Sequence, residues 1–348
     1  METQNYLGNQ SLPNKFRKNL YIYFLLFCSL LLINSCRDKG SHAVPPTPST
    51  DKGLKGIDTP AAENEMPPLY EEIPLVGGGR NARIDEAPWQ VGIYYVTEER
   101  LKCGGSIVDK EWILTACHCV RKGNGDKIDK NNLLIFHSTI DSRTFIQPQK
   151  GVKIDTIIEH PSYLHDSLDN DIALIKLSKP IKLKYPFPQS IKFADQLSIE
   201  KLTENKATLK ITGWGQTGKD KATSEQQILQ IAEINFIEIS QCKLAIENVK
   251  NKTHDIRKFM LCAGDRIGTR GSCIGDSGGP LVYQKDIIVG ICSWGLDRCG
   301  LASNYGIYTD ATNQAYITWI EDTKKQSNFH DNFFSFFKMD FNNFFHIK

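Results

Sequence analysis

The sequence predicts an all-β fold, either a barrel or a sandwich, for residues 76–325. Short runs rich in β-branched and aromatic residues recur along this stretch, and clusters of Gly and Asn interrupt them. Few stretches carry a helical pattern. Many short strands joined by turns are typical of sheets that close on themselves or pack face to face.

Five segments carry the clearest strand patterns, and one helix is expected after them. The strand segments are 89–96, 106–108, 112–115, 171–177 and 287–291. The last segment is continuously apolar, which indicates a buried strand. The apolar spacing at 315–320 predicts a short helix near the end of the chain.

Composition narrows the classes of function. The 348-residue chain is 40% hydrophobic, enough for a sizeable core, and its formal net charge is +2. This balance argues against nucleic acid or a strongly acidic molecule as partner. Eight of the ten cysteines follow Ala82, a density typical of an oxidising compartment. The sequence has no paired-Cys zinc pattern and no glycine-rich phosphate loop, so we expect neither a metal nor a cofactor.

Residues 1–36 have the layout of an export signal. A flank with three basic residues precedes an apolar run at 20–33, which is too short to cross a bilayer as a helix. The run ends just before Cys36 and resembles the lipobox of bacterial lipoproteins, in which the signal is cut before a cysteine that is then lipidated. We therefore expect lipid attachment at Cys36. An ordinary signal peptide and a short signal anchor are the alternatives.

Two further segments lie outside the all-β region. Residues 37–75 are rich in Pro, Thr and acidic residues and have little apolar content, which predicts a flexible linker or propeptide. Residues 327–348 are rich in Phe and Asn, and we expect this tail to be disordered. Contact of the tail with a membrane or a partner is the alternative.

Three separate motifs supply a histidine, an acid and a serine. His118 lies in Leu-Thr-Ala-Cys-His-Cys, Asp171 begins Asp-Ile-Ala-Leu, and Ser277 lies in Gly-Asp-Ser-Gly-Gly-Pro. A serine hydroxyl is a weak nucleophile until a base takes its proton, and an imidazole is the base suited to neutral pH. A carboxylate fixes the imidazole tautomer, and glycines let backbone amides face a developing oxyanion. Together the motifs predict catalysis by a nucleophilic serine.

On these motifs and their order along the chain, the all-β region resembles the trypsin/chymotrypsin family of serine endopeptidases. The resemblance implies two packed six-stranded antiparallel β-barrels with a short C-terminal helix, in one protease domain at 76–326. It implies that His118 is general base and then general acid, that Asp171 orients it and that Ser277 forms the acyl-enzyme. The amides of Gly275 and Ser277 would form the oxyanion hole.

The same resemblance assigns substrate-binding and disulfide positions. Ser293 would hydrogen-bond Asp171, and residues 293–295 would pair with the substrate backbone. The positions assigned to substrate binding are Gly271, Ser272, Ser293, Trp294, Gly295 and Gly306. The implied disulfides are Cys103–Cys119, Cys242–Cys262 and Cys273–Cys299. Cys117 and Cys292 are left over, either as a fourth bridge or as two free buried thiols.

The primary pocket implied in this way is open and uncharged. Trypsin-like enzymes carry an Asp at its base, and the matching residue here is Gly271. Such a pocket favours large apolar or aromatic side chains, each worth about 1.5–3 kcal/mol on burial, so we expect chymotrypsin-like cleavage. Asp297 near the pocket mouth and Tyr305 before Gly306 depart from the usual pattern, and we interpret Tyr305 as a packing residue.

Members of this family are activated by a cleavage that frees a new amino terminus. Its ammonium group pairs with the Asp that precedes the nucleophilic serine, here Asp276. Counting back from Trp89 places the new terminus at Val76, after Leu75. That junction suits a chymotrypsin-like pocket, so we expect self-cleavage between Leu75 and Val76.

The resulting expectation is a monomeric serine endopeptidase that acts on proteins or peptides. It would be exported and then either lipid-anchored, in the periplasm or at the cell surface, or released after activation. Two other classes are a catalytically silent binding protein with a protease fold and a lipid-anchored structural protein. The intact set of three catalytic residues argues against the binding protein, and the intact Gly-Asp-Ser-Gly-Gly-Pro segment, which would form the oxyanion hole, argues against the structural protein.

Overall fold

A computed structural model describes residues 79–194, 199–204, 206–216, 227–247, 255–265, 267–268, 270–295 and 303–344. The strands of this part of the chain form two closed barrels. The predicted export segment with Cys36, the linker, Val76, Asp297 and Cys299 lie outside the described residues.

The first barrel is a ring of six antiparallel strands that follows a two-residue strand, β1 (Arg80–Asn81). In chain order its strands are β2 (Gln90–Tyr95), β3 (Arg100–Asp109), β4 (Trp112–Thr115), β5 (Leu133–Phe136), β6 (Val152–Glu159) and β7 (Ala173–Leu177). Around the ring the order is β2, β3, β4, β7, β6 and β5, and β5 closes on β2.

The second barrel is also a ring of six antiparallel strands. Its strands, with a short strand before them, are β8 (Lys192–Phe193), β9 (Thr208–Gly213), β10 (Gln230–Ile237), β11 (Met260–Gly264), β12 (Pro280–Tyr283), β13 (Ile287–Gly295) and β14 (Gly306–Asp310). The ring order is β9, β10, β11, β14, β13 and β12, while β1 pairs with β10 and β8 runs parallel to β13. The two predicted six-stranded antiparallel barrels are confirmed.

The predicted strand segments coincide with observed strands because they supply the barrel cores. Ile113, Leu114, Leu174 and Ile175 are completely buried, and each such side chain contributes about 1.5–3 kcal/mol by leaving water. The segment predicted at 171–177 is shorter in the structure, where β7 begins at Ala173. Its first two residues follow a turn in which Asn170 has a φ of 54°. This turn carries the Asp171 side chain out of the ladder.

Three α-helices lie within the described residues: α1 (Ile199–Glu204), α2 (Ile239–Glu247) and α3 (Gln314–Phe344). Helix α3 is much longer than the short helix that the sequence predicts. It continues into the Phe- and Asn-rich tail, for which we expected disorder. No Gly or Pro follows Gln314, so the sequence supplies no strong signal to end the helix. Among the described helices, none has the length and apolar character that a bilayer crossing requires.

Helix α3 and the second barrel both hold the turn that carries Asp171. The hydroxyl of Tyr316, a buried residue of α3, donates to Asn170 Oδ1 over 2.9 Å. Thr309 of β14 donates from Oγ1 to the backbone oxygen of Asp171 over 2.8 Å. A third bond joins Thr212 of β9 to Gln90 of β2 over 2.7 Å. The first two bonds fix the Asp171 turn against α3 and β14, and the third joins the two barrels at another point.

Candidate active site

The histidine is presented by a short 3-10 turn, Cys117–Val120, directly after β4. The turn is anchored by a disulfide between Cys119 and Cys103 of β3. The side chain of His118 is 23% exposed, whereas Cys117 and Cys119 on either side are buried. His118 is therefore the member of the turn that meets solvent, on a backbone held by a covalent bond.

A buried carboxylate contacts this histidine twice. Asp171 Oδ2 lies 2.7 Å from His118 Nδ1, and the backbone N–H of His118 donates to Asp171 Oδ1 over 2.9 Å. The hydroxyl of Ser293 in β13 donates to Asp171 Oδ2 over 2.6 Å, the bond that the sequence predicts. The side chain of Asp171 is completely buried. Both barrels therefore contribute donors to one carboxylate.

These contacts shift both pKa values toward the charged pair. Burial acts to raise the pKa of Asp171, but the charge of His118 and the hydrogen bonds from His118 and Ser293 outweigh it, so the pKa lies below its usual range. Burial acts to lower the pKa of His118, but Asp171 outweighs it by charge and hydrogen bonding, and the pKa is raised. The histidine is thus a stronger base than a free imidazole.

The serine lies in a loop whose conformation requires glycine. Gly275 and Gly278 flank Ser277 with φ values of 100° and 77°, a region that other residues rarely adopt. A Cβ added to Gly278 would lie 2.2 Å from Thr115 Oγ1 and 3.1 Å from Cys119 Sγ. The serine loop therefore packs directly against the turn that carries His118.

Two of the three predicted triad members, His118 and Asp171, are in direct contact. His118 and Asp171 are hydrogen-bonded, and the backbone oxygen of Ser277 accepts from Gly104 N over 2.8 Å. Within the described residues, the Ser277 hydroxyl makes no hydrogen bond to His118, whose Nε2 lies 3.7 Å from Cys119 Sγ. Catalytic hydrogen bonds are often long without substrate and shorten in its complex.

A second buried carboxylate lies next to the serine. Asp276 accepts from Gly215 N at Oδ1 over 2.9 Å and from Cys273 N at Oδ2 over 2.8 Å. Burial raises its pKa to about 6, although these two backbone bonds act to lower it. A Cβ on Gly213 or Gly215 would lie 1.9 or 2.6 Å from this carboxylate, which explains why glycine occupies both positions. No cation pairs with Asp276 within the described part of the chain.

Among the predicted pocket residues, Gly271 borders open space in the described part of the chain. A Cβ added to Gly271 would meet nothing within 4 Å, whereas one on Gly306 would lie 2.5 Å from Ser272 Oγ. That hydroxyl oxygen lies 3.0 Å from the hydroxyl of Tyr308, which donates to it. Gly295 is exposed and pairs in register with Gly306. The gap at Gly271 is room for part of a ligand.

Two further residues lie near this pocket: the sequence predicts the role of Tyr305 but gives no signal for Ile274. Tyr305 is buried and packs in a cluster with Trp294, in agreement with its interpretation as a packing residue. Ile274, directly before Gly275, was not singled out, yet it is 59% exposed. An isolated Ile in a Gly-rich loop carries no periodic signal, so sequence patterns did not identify it as an exposed apolar side chain.

Of the two alternatives that the sequence leaves for Cys117 and Cys292, a fourth disulfide or two free thiols, the structure has the second. Cys103–Cys119 and Cys242–Cys262 form the predicted disulfides, and Cys273 is also disulfide-bonded. Cys117 and Cys292 are free and buried. Burial raises the pKa of the Cys117 thiol and raises that of Cys292 to about 12, so both are neutral. They behave as small apolar side chains.

One group of side chains has the spacing of metal ligands. Ligand atoms of Cys103, His118 and Cys119 lie within 4.8 Å of one another. The two sulfur atoms are joined in a disulfide and are not available as thiolate ligands. The group therefore does not fit a metal ion.

Comparisons with known proteins agree with this geometry. The family model described as Trypsin matches residues 76–320. The β subunit of clotting factor G from Tachypleus tridentatus is 33% identical over 256 residues, which cover 71% of this chain and 79% of the relative. Vitamin K-dependent protein C from Mus musculus is 33% identical over 264 residues, covering 74% of this chain and about half of the relative, 54%.

A solved structure matches as well. It is neuropsin, a serine protease expressed in the limbic system of mouse brain. The TM-score is 0.58 at 29% sequence identity, and the match covers 71% of this chain and 98% of that chain.

The coupling of His118 to Asp171 gives a direct titration test. In Asp171→Asn the carboxylate that raises the pKa of His118 is lost while burial still lowers it, so the pKa of His118 should fall. Histidine proton resonances followed against pH by NMR would measure the shift. His137, whose pKa is lowered by burial, should titrate as in the wild type. An unchanged His118 titration would contradict the electrostatic account.

Proposed function

Since this chain belongs to the trypsin family of serine proteases, we propose that it is an exported serine endopeptidase acting through an acyl-enzyme. The observation that carries the proposal is the completely buried Asp171, bonded to His118 and Ser293, beside the serine loop. A buried carboxylate bonded to one ring nitrogen of an imidazole, with a serine loop packed against the turn that carries this imidazole, suits acyl transfer.

Each residue has a defined step in this reaction. Ser277 Oγ forms a bond to the scissile carbonyl carbon while its proton passes to His118 Nε2. The carbonyl electron pair moves to oxygen, where the N–H groups of Gly275 and Ser277 stabilise the negative charge. His118 then gives the proton to the leaving amine as the C–N bond breaks. A water molecule repeats the sequence on the acyl-enzyme, and Asp171 stabilises the imidazolium each time.

The alternative is a catalytically silent binding protein with the same fold. The pKa of His118 is raised and that of Asp171 is lowered because the two side chains form a matched pair. A protein that only binds a partner would not need such a pair. Protein or peptide substrates therefore suit this site better than a passive partner.

We further propose a preference for large apolar or aromatic side chains at the P1 position. No charged residue occupies the matching base position, where Gly271 leaves open space. The polar groups nearby, Ser272 and Tyr308, satisfy each other. The exposed Ile274 adds apolar surface at the edge of the serine loop. Among the described residues, no anion at this position would pair with a positively charged side chain, which would therefore be desolvated without compensation.

Export and activation complete the proposal. Disulfides are maintained in oxidising compartments, which supports export. Lipid attachment at Cys36 and release after cleavage at Leu75–Val76 remain sequence predictions. Asp276 suits activation because its buried carboxylate has backbone donors but lacks a cation among the described residues. The ammonium of Val76 would supply that cation.

The nucleophile is tested by covalent labelling. A fluorophosphonate probe should label wild-type protein at Ser277, and Ser277→Ala should not be labelled because the attacking oxygen is gone. His118→Ala should slow labelling by about 10⁴-fold because no base takes the proton. Ser178→Ala, at an exposed serine, should be labelled at the wild-type rate. A wild type that resists the probe after cleavage at Val76 would favour the silent binding protein.

The pocket is tested by substrate profiling. A peptide library should show cleavage after Phe, Tyr, Leu or Met, and Gly271→Asp should shift the preference to Lys and Arg. The new carboxylate pairs with a cationic P1 side chain and is left unpaired by an apolar one, so hydrolysis of aromatic substrates should fall at least about tenfold. Gly271→Asn is the matched uncharged control. A wild type that prefers Lys or Arg would show the pocket prediction to be wrong.

Activation is tested by N-terminal sequencing and by pH-dependent stability. Purified wild type should begin at Val76, whereas Ser277→Ala purified without other proteases should remain uncut. Identical maturation of both would exclude self-cleavage.

The stability test has a definite sign. In the uncut chain the pKa of Asp276 is raised to about 6, so the neutral carboxyl group stabilises the folded state. This stabilisation is fully present below about pH 4 and is lost as the pH rises through 6. The loss is on the order of 2–3 kcal/mol. Cutting Ser277→Ala at Val76 with an added protease should remove this loss, because an ammonium lowers the pKa of the carboxyl. Urea unfolding at pH 4 to 7 measures the difference.

A further inference from the structure

An ion pair behind the His118–Asp171 contact joins the two chain segments that carry these residues. Arg121 donates from Nε to Glu159 Oε1 over 2.9 Å and from Nη2 to Glu159 Oε2 over 2.8 Å. This two-bond contact is largely shielded from solvent, because the side chains of Arg121 and Glu159 are only 22% and 11% exposed. A bidentate pair of this kind fixes orientation as well as distance.

The arginine is tied to the histidine by the backbone. Arg121 directly follows the 3-10 turn, and its N–H donates to the carbonyl of His118 over 3.3 Å. Its Nη1 also donates to the carbonyl of Gly125 over 2.7 Å, and its backbone forms an isolated bridge with Lys127. A displacement of the guanidinium would therefore move the turn that holds His118.

The glutamate is tied to the aspartate by strand pairing. Glu159 is the last residue of β6 and lies opposite Ala173, two residues after Asp171. The next residue, His160, donates from its backbone N–H to the carbonyl of Ile172 over 3.1 Å. The carboxylate of Glu159 therefore keeps a fixed position relative to Asp171.

We propose that Arg121 and Glu159 are positioning residues that hold His118 at bonding distance from Asp171. This inference rests on the proposed endopeptidase function, because it concerns the geometry of the proposed base. Displacement of a catalytic group by about 1 Å can cost roughly 100-fold in rate. The pair of Arg121 and Glu159, called the clamp below, acts through the backbone on both sides of a 2.7 Å contact. Its hydrogen bonds within the described residues involve neither Ser277 nor a predicted pocket residue.

The surroundings of the clamp identify its working partners. Lys127 also reaches Glu159, over 3.2 Å to Oε2, but its side chain is 74% exposed and gives only a single contact. The buried Cys117 thiol lies near Arg121, and burial together with the charges of Glu159 and Asp171 raises its pKa and keeps it neutral. Glu159 is thus the anion that Arg121 binds, and Lys127 supplies a matched control on the same carboxylate.

The first experiment separates turnover from binding. Arg121→Met keeps the aliphatic stem but removes the fork, and Glu159→Gln keeps the volume but removes the charge. Both should lower kcat by about tenfold or more while KM stays within about twofold, since the pocket is untouched. Arg121→Lys should give an intermediate kcat because it keeps the charge without the fork. Lys127→Met should stay within about twofold of wild type.

The clamp would be overturned by an unchanged kcat in folded Arg121→Met, or by an equal loss in Lys127→Met. Circular dichroism and thermal unfolding of each variant identify the ones that are folded at the assay temperature.

The second experiment needs no hydrolysis. In the Ser277→Ala chain, the pKa of His118 is measured by NMR with and without Arg121→Met. Among the described residues, Asp171 is the charged group that faces the His118 ring, and the nearby sulfur atoms belong to the Cys103–Cys119 disulfide and do not titrate. Loss of positioning weakens the Asp171 contact and should lower this pKa by roughly half a unit or more.

The sign of this shift discriminates between two explanations. Removal of a nearby cation without any movement would raise the pKa of His118, so a fall isolates the positioning effect. A rise or no change overturns the clamp. A wild type that neither hydrolyses peptides nor reacts with the phosphonate, but shows the predicted fall, counts against the endopeptidase function and leaves the clamp standing.

Discussion

The structure depends on the compensation of one buried negative charge at the junction of the two barrels. Asp171 is completely buried, and an uncompensated carboxylate in that position would cost several kcal/mol. It is compensated by two contacts from His118 in the first barrel and by one from Ser293 in the second. Thr309 binds the backbone of the same residue from β14. The seam between the barrels is therefore also the place where the base is oriented.

A comparison of the two buried aspartates shows what this compensation achieves. Asp171 and Asp276 are 0% and 4% exposed, yet their pKa values move in opposite directions. Both accept hydrogen bonds, but only Asp171 faces a group that carries a positive charge. Two backbone N–H groups do not offset the desolvation of Asp276. The charge of Asp171 is thus compensated within the described structure, whereas that of Asp276 would be compensated by the cation that the proposed activation supplies.

Sequence reasoning succeeded where a feature is encoded locally. Apolar runs predicted five strand segments, which lie in β2, β3, β4, β7 and β13, and the glycines around Ser277 predicted a turn that the positive φ values of Gly275 and Gly278 provide. Disulfide partners followed from family resemblance, and Cys103–Cys119 and Cys242–Cys262 are present. The three motifs around His118, Asp171 and Ser277 predict the triad, and the contacts of His118 and Asp171 agree with that assignment.

Features that depend on register were out of reach. Arg121 and Glu159 are 38 positions apart, and their meeting requires the particular register of β6 against β7, which shifts between Ile154 and Thr156. Neither residue belongs to a motif, and a charged pair at the surface is usually of little consequence. Whether Cys117 and Cys292 form a disulfide likewise depends on the distance between the turn that follows β4 and strand β13 of the other barrel. Helix α3 is long because no Gly or Pro follows Gln314 to end it, and the absence of a stop signal is not itself a pattern that predicts a helix.

The two free thiols show how neutral packing supports the charged centre. Cys117 and Cys292 each precede a residue that bonds Asp171, and burial keeps both protonated. An ionised thiol at either position would raise the pKa of Asp171 and weaken its pairing with His118. Because the thiols stay neutral, their charge does not oppose the pairing of the His118 imidazole with the Asp171 carboxylate. The strength of the proposed base thus follows from which neighbours carry charge and which are kept from carrying it.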